Sequence, residues 1–186
     1  MLDPAARQIV ALHEAGHAVA AFALGGEVER LEVTPDGDAG GCFHRMPVDA
    51  SILDHMVMTV AGWVAEDVFG TPMGRACRPR VAGAVRLPEG KSDKDAVAEI
   101  FESLVRVAPA ELAVTDADRA TFIGIADRKA EEILWRHRSA VEGLASLLTR
   151  RTSVGGEQCL AVMLGHGVTR GSDAEPATRP AVAVAA

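Results

Sequence analysis

From Asp3 to Gly25 the apolar positions Ile9, Leu12, Gly16, Val19 and Ala20 recur at helical spacing. Asp3 can cap this helix, Pro4 suits its first position, and Gly25-Gly26 ends it. The pattern then changes to two short strand-like pieces, Val28–Thr34 and Gly41–Arg45. The turn signal Pro35-Asp36-Gly37-Asp38 separates them and predicts a hairpin or small sheet beside the first helix. Apolar residues every four positions (Ile52, Met56, Val60, Val64, Val68) predict a second helix over Ala50–Phe69, stopped by Gly70 and Pro72. Residues 71–91 carry no period and read as a long irregular loop. Ser92 is the expected N-cap of a third helix that turns Val97, Ile100, Phe101 and Leu104 inward and ends before Pro109. Helices over 117–137, 138–150 and 155–165 follow. The expected architecture is α+β and mainly α-helical, with a small β-hairpin or sheet and a C-terminal helical bundle. One domain covers 1–166, and a disordered tail covers 167–186.

Composition narrows the partners. Apolar residues make up 48 % of the chain, enough for a packed core, while aromatics supply only 4 % and tyrosine is absent. Alanine, valine and leucine must therefore do the packing, which favours closely approaching helices. A net charge of −7 argues against nucleic acid, whose phosphates call for an excess of Lys and Arg on one face. Cys42, Cys77 and Cys159 are widely spaced and odd in number, a pattern that suits a reducing compartment better than a disulfide framework. The longest apolar runs, Ala18–Gly26 and Val57–Ala65, fall short of the roughly 20 residues that span a bilayer. Asp3 and Glu14 interrupt what would have to be a signal peptide. The expectation is a soluble, cytoplasmic protein with no membrane span.

The chemistry lies in the first helix, which contains His13-Glu14-Ala15-Gly16-His17, an HExxH motif. At 3.6 residues per turn, positions i and i+4 face the same way, so both imidazoles can reach one metal ion. Glu14 is offset enough not to be a ligand and close enough to act on a water at that ion. Gly16, with no side chain, would let a strand or a substrate approach the helix. Histidines and a glutamate on a mostly apolar helix are costly to bury unless something pairs them. This points to Zn2+ held by His13 and His17, with Glu14 as the catalytic base.

The stretch VALHEAGHAVAAFALGG, Val10 to Gly26, resembles the protease domain of the FtsH family of zinc proteases, which are membrane-anchored and fused to an AAA ATPase module. The likeness continues in order. Leu31–Pro35 followed by Gly40-Gly41 is similar to that family's strand, proline turn and glycine, and Ala61–Gly70 is similar to its GGRxAEExxFG helix. Glu131–Leu148 and Gly155-Gly156-Glu157 resemble its closing helices. The resemblance implies a zincin-like fold and a third zinc ligand, an aspartate at the start of the helix after the loop. Ser92-Asp93 matches that context, so Asp93 is the implied ligand. Asp93 also places Val97, Ile100 and Leu104 on one inward face, while Asp95, two residues on, is the alternative. Trp63 stands where that family has arginine, and the chain has neither a Walker A loop nor a transmembrane helix.

Taken together, the residues and the resemblance imply a metalloendopeptidase acting on flexible or unfolded polypeptides. The peptide would lie along an edge strand, Gly41–Arg45. The alternatives are a non-catalytic metal-binding regulatory protein and a peptidase subunit active only with a separate ATPase partner; a homo-oligomer is also compatible. Glu66 is a candidate to orient a ligand histidine, and His44 a candidate to touch substrate. His55, His137 and His166, which have no partner at ligand spacing, read as surface residues, and the methionines as packing.

Overall fold

The computed structural model describes residues 4–37, 39–70, 92–107 and 115–171. Helix α1 (Pro4–Ala23) is followed by strands β1 (Glu27–Val33) and β2 (Gly40–Arg45), then helices α2 (Ile52–Phe69), α3 (Asp93–Val107), α4 (Asp116–Arg136) and α5 (Arg138–Arg150). Strand β3 (Ser153–Gly155) and helix α6 (Gly156–Gly165) complete the order. The described residues thus form six helices and one three-stranded antiparallel sheet, a mainly helical α+β fold as expected. The expected cap Asp3 and the loop 71–91 lie outside the described residues.

Helix α1 is the axis of the molecule. Its residues from Val10 to Phe22 are all buried, so the helix is covered on every side and not along one stripe. Ile9, expected inside, is 38 % exposed because it precedes that enclosed segment. The covering layers are α2, α5 and the sheet, with α4 touching as well. Enclosure requires small residues, and α1 supplies Ala11, Ala15, Gly16, Ala18, Ala20 and Ala21. At Gly16 an added Cβ would stand 2.6 Å from the Ala61 carbonyl oxygen and 2.6 Å from the Ala65 Cβ. The close neighbour of Gly16 is therefore α2, not the strand or substrate expected from the sequence.

The sheet runs in the order β2-β1-β3, with Leu31 of β1 opposite Cys42 on one side and Val154 on the other. The expected hairpin is present, and its turn is closed by Gly37 at φ +70°. β3 is a gap in the sequence reading, since three residues are too few to display an alternating pattern. With β1 central, β2 and β3 are the outer strands of the described sheet.

Helix α2 begins with a capping box: Ser51 accepts from the Asp54 N–H while the Asp54 carboxylate accepts from the Ser51 N–H. Asp54 also accepts from Lys129 of α4 at 2.7 Å. Burial works against the Asp54 charge, but the bonds from Lys129 and Ser51 outweigh it and lower the pKa. A depressed carboxylate stabilises fully above its unfolded pKa, near 3.8, and loses that contribution as pH falls through the lower folded value. Asp54→Ala is expected to cost about 1 kcal/mol at neutral pH, mainly through the lost cap. In urea titrations the difference from wild type should shrink progressively as pH falls below about 4 and through the lowered folded pKa of Asp54.

Past α6 the chain stays on the domain as far as it is described. Val168 is 2 % exposed, and Arg170 donates to the Gly26 carbonyl at 3.1 Å. Of the tail expected from residue 167, residues 172–186 lie outside the described residues.

Candidate metal centre

Three side chains from two helices converge on one point. His13 and His17 project from adjacent turns of α1, and the first residue of α3 brings Asp93 over them. The two Nε2 atoms are 3.0 Å apart, and Asp93 Oδ2 lies 2.9 Å from that of His13 and 3.4 Å from that of His17. Both histidines are buried, at 4 % and 5 % exposure. Asp95, the alternative, is occupied elsewhere: its carboxylate accepts from the Ser92 N–H and Oγ, while Ser92 Oγ accepts from the Asp95 N–H. Ser92 is thus the expected cap, and its capping box gives the two aspartates different tasks.

The remaining ring nitrogens are held from behind. His17 Nδ1 lies 2.8 Å from the Met58 carbonyl, which can only accept, so this nitrogen donates. His13 Nδ1 donates to Glu66 Oε1 at 2.6 Å, which makes Glu66 the orienting partner suggested by its place in the sequence. With each Nδ1 donating, both Nε2 atoms are left facing each other and a carboxylate oxygen. Such a donor set is mutually repulsive unless a proton or a metal ion lies among its members. Two imidazole nitrogens and one carboxylate oxygen also make up a donor set that zinc takes, with a further position left open. On donor chemistry and spacing, the residues fit the metal.

Glu14 is fully buried, and neither carboxylate oxygen has a partner among the described residues. Burial pushes its pKa up to about 7 against the pull of the two histidines. Burial opposes the charge on His13, but hydrogen bonds to Asp93 and Glu66 dominate and raise its pKa to about 10. His17 is raised as well, by Asp93 against burial. Asp93 is held well below the carboxylate range: burial works against its charge, and the two histidines prevail.

Glycines shape the walls. An added Cβ at Gly40 of β2 would sit 2.7 Å from Glu14 Cγ, so the strand lies directly over the glutamate. At Gly62 of α2 it would sit 2.4 Å from His17 Nε2 and 2.5 Å from His13 Nε2. The sequence reading did not single out Gly62, Gly40 or the Met58 carbonyl. A signal existed for Gly62, since glycine inside a helix is unfavourable and marks a close approach. Trp63, next to it, donates from Nε1 to Asp127 of α4 at 3.1 Å and ties α2 to α4.

The other candidates fall in different places. His44 is half-buried on β2 and donates from Nδ1 to the Cys42 carbonyl at 3.1 Å; burial lowers its pKa. His166 is exposed as expected, and His55 is half-buried. His137 corrects the reading: it is only 6 % exposed, because it sits in the corner where α4 turns into α5. Cys42 and Cys159 are buried free thiols, and Cys77 lies outside the described residues.

Glu66→Gln keeps the shape but weakens the acceptor of His13 Nδ1–H. It is expected to reduce zinc affinity about 10- to 100-fold, measured by chelator competition, with helicity unchanged.

An HExxH helix, a carboxylate from a second helix and a small sheet laid over the glutamate support, at the level of family, a zinc metallopeptidase. The Peptidase M50B-like family model matches residues 1–78, which include the HExxH helix, both β1 and β2, and α2. The chain is 29 % identical over 89 % of its length to the ATP-dependent zinc metalloprotease FTSH 6, chloroplastic, of Oryza sativa subsp. japonica. It is 28 % identical over 84 % of its length to the ATP-dependent zinc metalloprotease FtsH of Acidothermus cellulolyticus. It covers 29 % and 28 % of those two relatives, under a third of their length. These matches support an FtsH-type peptidase domain. No helix among the described residues is long and apolar enough to cross a membrane.

Proposed function

We propose that this chain is a zinc-dependent metalloendopeptidase domain acting on flexible or unfolded polypeptides. The observation that carries the reading is the convergence of His13 Nε2, His17 Nε2 and Asp93 Oδ2 beside the unpartnered, buried carboxylate of Glu14. Zinc held by His13, His17 and Asp93 would supply the Lewis acidity that makes water a nucleophile near neutral pH. Glu66 and the Met58 carbonyl keep each imidazole in the tautomer that presents Nε2. Glu14 takes the proton from the attacking water and passes it to the departing amine. The outer strand β2 would offer backbone groups to an extended peptide, which would add to the sheet as a strand. His44, on that strand, would face the peptide.

A second reading has one observation in its favour. Both relatives are ATP-dependent by name, so the peptidase would work with an ATPase that delivers unfolded substrate.

Metal content of protein purified without added zinc tests the site. About one zinc per chain is expected in wild type and in Asp95→Ala, with loss in His17→Ala and in Asp93→Ala. Retention of zinc in Asp93→Ala together with loss in Asp95→Ala would reverse the ligand assignment. Absence of stoichiometric metal after zinc is supplied would overturn the reading.

A further inference from the structure

Arg7 precedes Glu14 on α1 by about two turns, so the two residues share one face of the helix. Its guanidinium donates to three backbone carbonyls from distant parts of the chain. Nη2 reaches Leu148 in the last turn of α5 at 3.3 Å and Arg151 just beyond it at 3.2 Å. Nη1 reaches Pro35, in the turn between β1 and β2, at 3.4 Å. The end of a helix leaves carbonyls open and favours a cation, which accounts for the first two bonds. The third ties the hairpin to α1. Nε is buried with no partner among the described residues, so the side chain keeps this place at a cost.

The hairpin comes down on the same face of α1 at two points. An added Cβ at Gly37 would stand 3.0 Å from Arg7 Cβ, and one at Gly40 would stand 2.7 Å from Glu14 Cγ. One glycine thus rests on the arginine and the other on the carboxylate. The lead-in to β3 closes on the same place, since the Val33 N–H donates to the Thr152 carbonyl at 2.9 Å, next to Arg151.

We propose that Arg7 is a positioning residue for peptide hydrolysis, a clamp that holds the β1–β2 hairpin down so that β2 keeps a fixed height over Glu14. The inference rests on the peptidase reading, in which β2 carries the peptide and Glu14 moves the proton. Arg7 acts through the backbone from Gly37 to Gly40, and its hydrogen bonds go to none of the metal ligands.

Steady-state cleavage of unfolded casein by the zinc-loaded full chain tests it. Arg7→Met and Arg7→Lys are assayed at a temperature where circular dichroism shows each to be folded. Arg7→Met is expected to bind zinc as wild type does and to keep its KM. Its kcat should fall about 10- to 100-fold, because a displacement of about 1 Å at the reacting bond costs up to about that factor. Arg7→Lys retains a cation that can serve one carbonyl at a time and should recover part of the kcat. A purely structural role would lower Tm and leave kcat of the folded, zinc-loaded chains alone. Hydrogen exchange supplies a second readout: amides of β1 and β2 should exchange faster in Arg7→Met, and those of α2 should not. If Arg7→Met does not fold, Gly37→Ala displaces the hairpin from the other side with the guanidinium in place, and the same loss of kcat is expected. The proposal is overturned if a folded variant keeps its kcat, if zinc is lost along with kcat, or if exchange in the hairpin is unchanged. Wild type that cleaves nothing counts against the peptidase reading, whereas wild type that cleaves beside variants of equal kcat defeats the role of Arg7 alone.

Discussion

Glu14→Gln is expected to remove peptide hydrolysis while leaving zinc in place. The substitution preserves the size of a side chain that is 0 % exposed and packed beneath Gly40, so the walls of the site need not move. What it removes is the ability to accept a proton. Positioned general acid–base groups contribute about 10²- to 10⁴-fold, so cleavage of unfolded casein should fall by that factor or more. Stability should not suffer. A buried carboxylate with no partner among the described residues is destabilising, and a neutral amide is less expensive to bury. The informative pattern is therefore lost turnover, zinc near one per chain and an unchanged or higher Tm. Turnover that survives in Glu14→Gln would remove this residue from the chemistry. Wild type that holds zinc but cleaves nothing until an ATPase partner is added would favour the partner-dependent reading.

The sequence displays parts of this site more clearly than others, and the reason is range. His13, Glu14 and His17 sit within five residues of one helix, so helical periodicity alone brings the two imidazoles together. Asp93 comes from a helix separated from α2 by residues 70–92, and periodicity has no means of bridging that interval. The resemblance to FtsH proteases and the inward face of α3 supplied it, and the capping box of Ser92 with Asp95 gives the local reason for the register. The backbone partner of His17 was not legible at all, because any residue at position 58 offers a carbonyl. Burial misled in two places. His137 has no spacing partner and read as a surface residue, yet the α4–α5 corner encloses it. Ile9 carries the right period, yet it lies before the enclosed part of α1. Periodicity reports one face of an isolated helix, whereas these two positions are decided by where neighbouring elements end.

Gly62→Ala is the substitution that tests the geometry of the centre without touching a ligand. The added methyl would lie 2.4 Å from His17 Nε2, 2.5 Å from His13 Nε2 and 2.6 Å from His13 Cε1, all closer than real Cβ contacts allow. Neither imidazole can back away freely, because Glu66 and the Met58 carbonyl hold them from the other side. Helix α2 cannot retreat without opening its contact with α1 at Gly16, where Ala61 and Ala65 are already in close approach. The strain must then separate the two Nε2 atoms and Asp93, and zinc affinity is expected to fall by about 100-fold or more. Alanine is the better helix former by about 1 kcal/mol, which offsets part of an overpacking cost of about 1–3 kcal/mol, so the metal-free variant should remain folded and helical with a modestly lowered Tm even as metal is lost. Gly124→Ala in α4 is the control: nothing lies nearer to its added Cβ than Arg128 Nη1 at 3.9 Å, so it should gain stability and bind zinc as wild type does. Wild-type zinc affinity in Gly62→Ala would mean that the metal does not sit at the meeting point of these two imidazoles.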